Sequence, residues 1–299
     1  MRFIEYRGDK ISKLSLGTVQ FGLDYGIANS SGQPNQEDVN RIIEYLYKNK
    51  INCFDTAQAY GNSEEVLGRA IKDKAELFII SKLKSDIFKK NAIKNVEQSL
   101  KNLNISSLYA LLLHDSELLF NWSDEYAVII NKLKESQRIK YFGVSIYNDI
   151  DFELALENRY IEFIQIPFNI FDQRAITQGW LEKAKKHNKL IFIRSIFLQG
   201  LFFIDRNNLP KNLEQAKEPL KLFDKYSKKL DMSIGELALS FVDSVATDSL
   251  LLFGCDNIEQ AKEDILNYNQ LKRLDGQSIA DITKSFKDVD ESIYNPTKW

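Results

Sequence analysis

The chain has 299 residues, of which 44% are hydrophobic and 27% charged. That composition excludes an intrinsically disordered chain and supplies enough apolar side chains for a sizeable core. Lys and Arg total 40 against 42 Asp and Glu, a net charge of −2, so no chain-wide attraction to nucleic acid or to an anionic membrane is expected.

Short β-type runs alternate with longer helix-type runs from end to end. The spacing predicts strands at residues 14–21, 51–55, 77–82, 108–114, 141–145, 163–167, 190–194 and 250–253. Several are apolar throughout, as in Tyr109-Ala110-Leu111-Leu112-Leu113, which suits a parallel sheet covered by helices on its outer face. Helices are predicted at 36–49, 63–71, 92–103, 125–136, 174–187, 220–230, 234–244 and 258–271, with one more at 279–286 near the carboxyl end. Asn35 is the expected cap of the first and Ser63 of the second. Residues 202–218 lack periodicity and read as a long loop over the mouth. Eight strands interleaved with helices, with no Pro- or Gly-rich linker, predict one (β/α)8 TIM barrel domain over residues 1–299 with an additional C-terminal helix.

Cys53 and Cys255 lie far apart in apolar stretches, without disulfide or metal-ligand spacing. They read as buried small residues in a reducing compartment. Residues 1–7 lack the apolar core of a signal peptide, and no window approaches the ~20 apolar residues of a membrane helix. A cytoplasmic location is expected. His187, near the end of a helix, reads as a partner of the helix dipole.

In such barrels the active site lies at the carboxyl ends of the strands. Asp55, Lys82 and His114 end the second, third and fourth predicted strands, and Tyr60 follows Asp55 by one short loop. The four groups are chemically complementary. A phenol titrates too high to exchange a proton readily at neutral pH. A nearby ammonium would lower its pKa. Asp55 can hold Lys82 in place, and His114 can orient a substrate oxygen. The set can protonate a carbonyl oxygen while hydride arrives, or run the reverse.

The segment Phe54-Asp55-Thr56-Ala57-Gln58-Ala59-Tyr60-Gly61-Asn62-Ser63-Glu64 resembles the signature of the aldo-keto reductase family. Leu16-Gly17-Thr18, Leu67-Gly68, Ile79-Ile80-Ser81-Lys82 and Leu112-Leu113-His114 resemble further blocks of that family, in order. The resemblance implies an NADP(H)-dependent oxidoreductase that interconverts a carbonyl (aldehyde, ketone or sugar) and an alcohol. It implies Tyr60 as general acid/base, Lys82 and Asp55 as its tuning pair, and His114 as the carbonyl-orienting residue.

The resemblance also assigns cofactor positions. Ser145 and Gln165 are similar to residues that hold the nicotinamide carboxamide, with Asn169 beyond them. Arg194 and Ser195 stand where many members have a stacking aromatic. Gln199 begins a phosphate-side loop. Gly254, Cys255, Asp256 and Gln260 match the region that takes the adenosine 2′-phosphate, and Glu263 and Asp264 the pair that holds adenine. Ile146 replaces a frequent Asn. Asp256 stands where a basic or neutral polar residue is common, and a carboxylate repels a phosphate, so NAD(H) stands as the alternative cofactor. The expected partner is a small-molecule carbonyl or sugar, neither nucleic acid nor membrane, with the oligomeric state left open. The competing readings are a non-catalytic nicotinamide-binding barrel protein and a Schiff-base lyase using Lys82.

Overall fold

The computed structural model describes residues 1–29 and 32–299. Ser30 and Ser31 lie outside the described residues. The chain opens with β1 (Phe3–Tyr6) and β2 (Asp9–Ser12), an antiparallel hairpin. Eight parallel strands follow: β3 (Leu14–Gly17), β4 (Cys53–Asp55), β5 (Phe78–Leu83), β6 (Leu108–Leu113), β7 (Ile139–Ser145), β8 (Phe163–Pro167), β9 (Leu190–Arg194) and β10 (Leu250–Phe253). They pair in sequence order and β10 pairs back to β3, closing a barrel. All eight predicted strands are present. The first ends earlier than expected, because Val19–Phe21 turns into a 3-10 segment after Thr18.

The helices are α1 (Gln36–Lys48), α2 (Ser63–Ile71), α3 (Ser85–Leu103), α4 (Glu117–Phe120), α5 (Asp124–Glu135), α6 (Asp149–Glu157), α7 (Arg174–Thr177), α8 (Trp180–Lys186), α9 (Lys217–Leu230), α10 (Ile234–Val245), α11 (Ile258–Asn269), α12 (Gly276–Phe286) and α13 (Glu291–Tyr294). Asn35 caps α1 as expected, accepting from the Glu37 and Asp38 amides. Ser63 does not cap α2. The position before the helix is Asn62, and the Ser63 hydroxyl bonds to Thr18 and Thr56 instead. Helix α3 runs seven residues further toward the amino end than its predicted start at Ala92, across a break at Asn91. The predicted helix 174–187 is two helices, because Gly179 adopts a left-handed φ of +68°. The predicted loop 202–218 is largely ordered. It contains the 3-10 segment Lys211–Ala216, and α9 starts inside it.

The core has two layers. Strand residues facing the helices form one, with Leu111, Phe142, Ile164 and Leu251 fully buried against helical side chains. The barrel interior forms the other, with Cys53, Ile80, Ala110, Leu112, Phe163, Phe192 and Leu250. Ile11 of the hairpin packs into this second layer, with Ile4 and Tyr6 beside it. Tyr109 and Tyr141 donate to Asp9. The hairpin thus plugs the amino end of the barrel and leaves the carboxyl end open. No helix among the described residues is long and apolar enough to cross a membrane.

A buried ion pair braces the loops over β7 and β8. Asp172 is fully buried, and Arg174 grips it through Nε at 2.8 Å and Nη2 at 2.6 Å. Arg174 Nη1 also donates to the Tyr147 carbonyl. Replacing Arg174 with Met leaves a buried carboxylate without its cation, which costs about 3–5 kcal/mol. Urea denaturation of R174M is expected to show that loss; a loss below about 1 kcal/mol would contradict this role for the pair.

Candidate active site

A cleft of about 500 Å³ opens at the carboxyl ends of the strands. It runs from Tyr60 and His114 past Ser145, Gln165 and Arg194 to Asp256, Gln260 and Glu263 around the first turns of α11. Asp55, at the end of β4, lines it. Lys82, from β5, does not: it is fully buried behind Asp55.

Lys82 donates to Asp55 Oδ2 at 2.5 Å and to the Thr56 carbonyl at 2.8 Å. Gln165, from β8, donates to Asp55 Oδ1 at 3.0 Å. Both carboxylate oxygens are therefore occupied. Lys82 Nζ lies 5.0 Å from the centroid of the Tyr60 ring, and the Tyr60 and His114 rings meet edge-on at 5.3 Å. Thr18 holds the Tyr60 loop from below, donating to the Asp55 carbonyl at 3.1 Å. Gly22 covers it: a Cβ there would stand 1.8 Å from the Tyr60 carbonyl oxygen. Glu64, buried, accepts from Ser81, the neighbour of Lys82.

Burial sets the charge states. The Tyr60 phenol is pushed well above its ordinary pKa by loss of solvent and by the Asp55 carboxylate. Arg194 is the cation that opposes this rise. The expected lowering of the Tyr60 pKa by Lys82 is therefore not met: burial, with the Asp55 carboxylate beside it, outweighs the nearby cations. Burial also lowers the Lys82 pKa, against the pull of Asp55. His114 falls to about 3, through burial first and then through Lys82 and Arg194. The imidazole is neutral at any ordinary pH. Its Nδ1 is buried without a partner, so Nε2 is the nitrogen left to meet a ligand.

The sequence model of the Aldo/keto reductase family matches residues 13–287. The chain belongs to the aldo/keto reductase family. A Bacillus subtilis protein named as the uncharacterized oxidoreductase YqkF is 24% identical over 313 residues, spanning 93% of this chain and 96% of its own length. The holo form of the aldo-keto reductase AKR11C1 from Bacillus halodurans superposes with a TM-score of 0.79 at 20% identity, covering 100% of this chain and 99% of that one. An aldo/keto reductase from Klebsiella pneumoniae, in complex with NADP and acetate, gives a TM-score of 0.71 at 19% identity, covering 95% of each chain. These solved structures share the fold.

Within this reductase barrel, most residues singled out in the sequence face the cleft: Asp55, Tyr60, His114, Ser145, Gln165, Arg194, Ser195, Gln199, Gly254, Asp256, Gln260, Glu263 and Asp264. Cys255 does not. Its side chain is 1% exposed and turned into the core, and burial pushes its thiol pKa up. Asn169 does not line the cleft either. It is fully buried, donating to the Ser195 carbonyl and accepting from the Phe171 and Asp172 amides. The Lys82 ammonium, buried and ion-paired, is absent from the lining, which removes the geometric basis for a Schiff base. His187 closes α8, its Nδ1 2.9 Å from the Lys183 carbonyl.

Sequence reasoning missed Tyr25, Tyr147 and Gln20, which all line the cleft. Tyr147 follows the end of β7 by two residues, so the strand-end rule that found His114 also reaches it. Tyr25 sits in an irregular loop with no such marker.

His114 titrates near 6.5 unfolded and about 3 folded. Between those values the unfolded chain binds a proton that the folded chain does not. Stability is therefore lost as pH falls from 6.5 toward 3, by up to about 1.4 kcal/mol per pH unit from this residue. Denaturation at pH 7 and pH 5 is expected to show a smaller difference for His114→Gln than for the parent protein; an unchanged difference would contradict the buried neutral imidazole.

Proposed function

We propose that the protein is a cytoplasmic NADP(H)-dependent reductase of small-molecule aldehydes, ketones or sugars, with Tyr60 as the proton donor. The observation that carries this reading is the convergence of Tyr60, His114, Asp55 and Lys82 at one end of the cleft. Two free, buried cysteines accord with a reducing compartment.

The cleft suits a dinucleotide on the chain's own evidence. Gln165 spends its amide nitrogen on Asp55, which leaves its oxygen to accept from a carboxamide, with the Ser145 hydroxyl beside it on the next strand. Ser195, Gln199 and Gly254 line the middle. A Cβ at Gly254 would meet the Gln20 side-chain amide at 2.6 Å, so any side chain there would displace Gln20. Asp256 Oδ1 is buried and unpartnered where an adenosine ribose would lie. Gln260, Glu263 and Asp264 complete that end.

A bound nicotinamide supplies the hydride. The chain's residues do the rest. His114 Nε2 donates to the carbonyl oxygen and fixes its position beside the Tyr60 hydroxyl. Tyr60 arrives protonated, because burial holds its pKa high, and passes its proton to that oxygen as negative charge develops there. The Asp55–Lys82 pair holds the floor of the site beneath the phenol. For the oxidation direction the same phenol must first lose its proton, which favours alkaline conditions.

Asp256 supports a second reading of the cofactor. It is one of three acidic groups at the adenosine end, with Glu263 and Asp264, no Lys or Arg lines that end among the described residues, and a carboxylate matches a ribose hydroxyl better than a phosphate. That favours NAD(H).

Fluorescence titration with NADPH and with NADH ranks the two cofactors, and tighter NADPH binding is expected on the first reading. Turnover on a carbonyl panel is then measured for the parent and for Tyr60→Phe. The variant is expected to lose about 10²–10⁴-fold in kcat with cofactor Kd within about twofold. Unchanged turnover would reject Tyr60 as the proton donor.

A further inference from the structure

Arg194 ends β9 inside the cleft, and it is the one Lys or Arg among the described residues that lines it. No carboxylate among the described residues forms an ion pair with it. Its guanidinium lies over the Tyr147 ring at 4.1 Å from the centroid. Nη2 donates to the Ile146 carbonyl at 3.1 Å and Nη1 to the Ser195 hydroxyl at 3.3 Å. Two of the five N–H groups of a guanidinium thus have neutral protein acceptors, and Nε is buried with none. A planar cation fixed on an aromatic ring, with donors to spare, is built for a carboxylate fork.

The direction in which Arg194 leans selects the ligand. Its contacts are with Ile146 and Tyr147, beyond β7, on the side of β9 away from β10. The amino end of α11 and the Gly254 turn lie on the β10 side. Arg194 therefore faces the end of the cleft that holds Tyr60 and His114, both of which feel its charge. The acidic groups Asp256, Glu263 and Asp264 gather at the other end. Arg194, the one Lys or Arg lining the cleft among the described residues, thus sits beside the chemistry.

We propose that Arg194 binds an anionic group of the substrate itself, so that the preferred substrates are carbonyl compounds carrying a carboxylate close to the carbonyl, such as 2-oxo acids. This rests on the reductase reading above and narrows its substrate class. Tyr147 sets the plane of the guanidinium, and the Arg174 contact to the Tyr147 carbonyl holds that loop in place.

The test compares acid and neutral partners: pyruvate with methyl pyruvate in turnover, and oxamate with oxamide in calorimetric binding to the cofactor-loaded protein. The parent is expected to favour the acids at least tenfold in kcat/KM and to bind oxamate but not oxamide. Arg194→Met is expected to lower the acid-to-neutral ratio of kcat/KM at least tenfold and to leave NADPH affinity within twofold. Arg194→Lys, which keeps the charge and loses the fork, is expected to fall between the two. An acid preference that survives in R194M overturns the proposal. So does a tenfold loss of NADPH affinity with the acid preference unchanged, which would assign the guanidinium to a cofactor phosphate. If R194M does not fold, the parent's discrimination between oxamate and oxamide decides. Oxamate binding without turnover on any carbonyl upholds the anion site and rejects the reductase reading. Turnover of neutral carbonyls without oxamate binding does the reverse.

Discussion

A lysine ammonium and an aspartate carboxylate share the dry interior of the site, and the rest of the cleft is arranged around them. Their side-chain exposures are 0% and 6%. Moving two ions out of water costs several kcal/mol each, which attraction alone does not recover unless the remaining hydrogen-bonding capacity is filled. Here the Thr56 carbonyl takes a second Lys82 hydrogen, and Gln165 fills the second carboxylate oxygen. The pair thereby ties the ends of β4, β5 and β8 together across the barrel. It has an electrostatic consequence as well. Burial and the Asp55 carboxylate keep the proton on Tyr60, with Arg194 the cation that opposes them.

The barrel makes this arrangement affordable in a mechanical sense. The β1–β2 hairpin seals the amino end with Ile4, Tyr6 and Ile11, and the aromatic rings of Tyr109, Tyr141 and Phe163 pack above it. Water is kept from the interior layer on that side. At the other end the loops are braced individually: Gly22 lets the β3 loop press against Tyr60, and Asn169 and Arg174 hold the backbones of Ser195 and Tyr147. None of these braces lines the cleft, yet each fixes a residue that does.

Much of this was legible in the sequence because it depends on short-range rules. Strands buried on both faces read as continuous apolar runs, and residues at their carboxyl ends mark the site. That placed Asp55, Lys82 and His114 correctly at the strand ends. Helix α6 escaped because Ile150, Phe152, Leu154 and Leu156 alternate with acidic residues or Ala at a period of two, a pattern that imitates a strand. The hairpin escaped because its strands are four residues each and mostly polar. The break at Asn91 and the Gly179 turn are local backbone events inside apolar periodicity that continues through them. The raised pKa of Tyr60 and the lack of a carboxylate partner for Arg194 among the described residues were out of reach for another reason. Both are set by distances between strands, and spacing along the chain does not encode them.

The central claim is that the phenol, the imidazole and the buried ion pair meet the reacting end of a dinucleotide at one rim. A crystal structure of the protein with NADP bound tests it most directly. The account predicts the nicotinamide ring between Ser145, Gln165 and Tyr60, its carboxamide on the Gln165 oxygen at about 3 Å, and the adenosine by α11. A dinucleotide bound elsewhere, or in the opposite direction along the cleft, would contradict it.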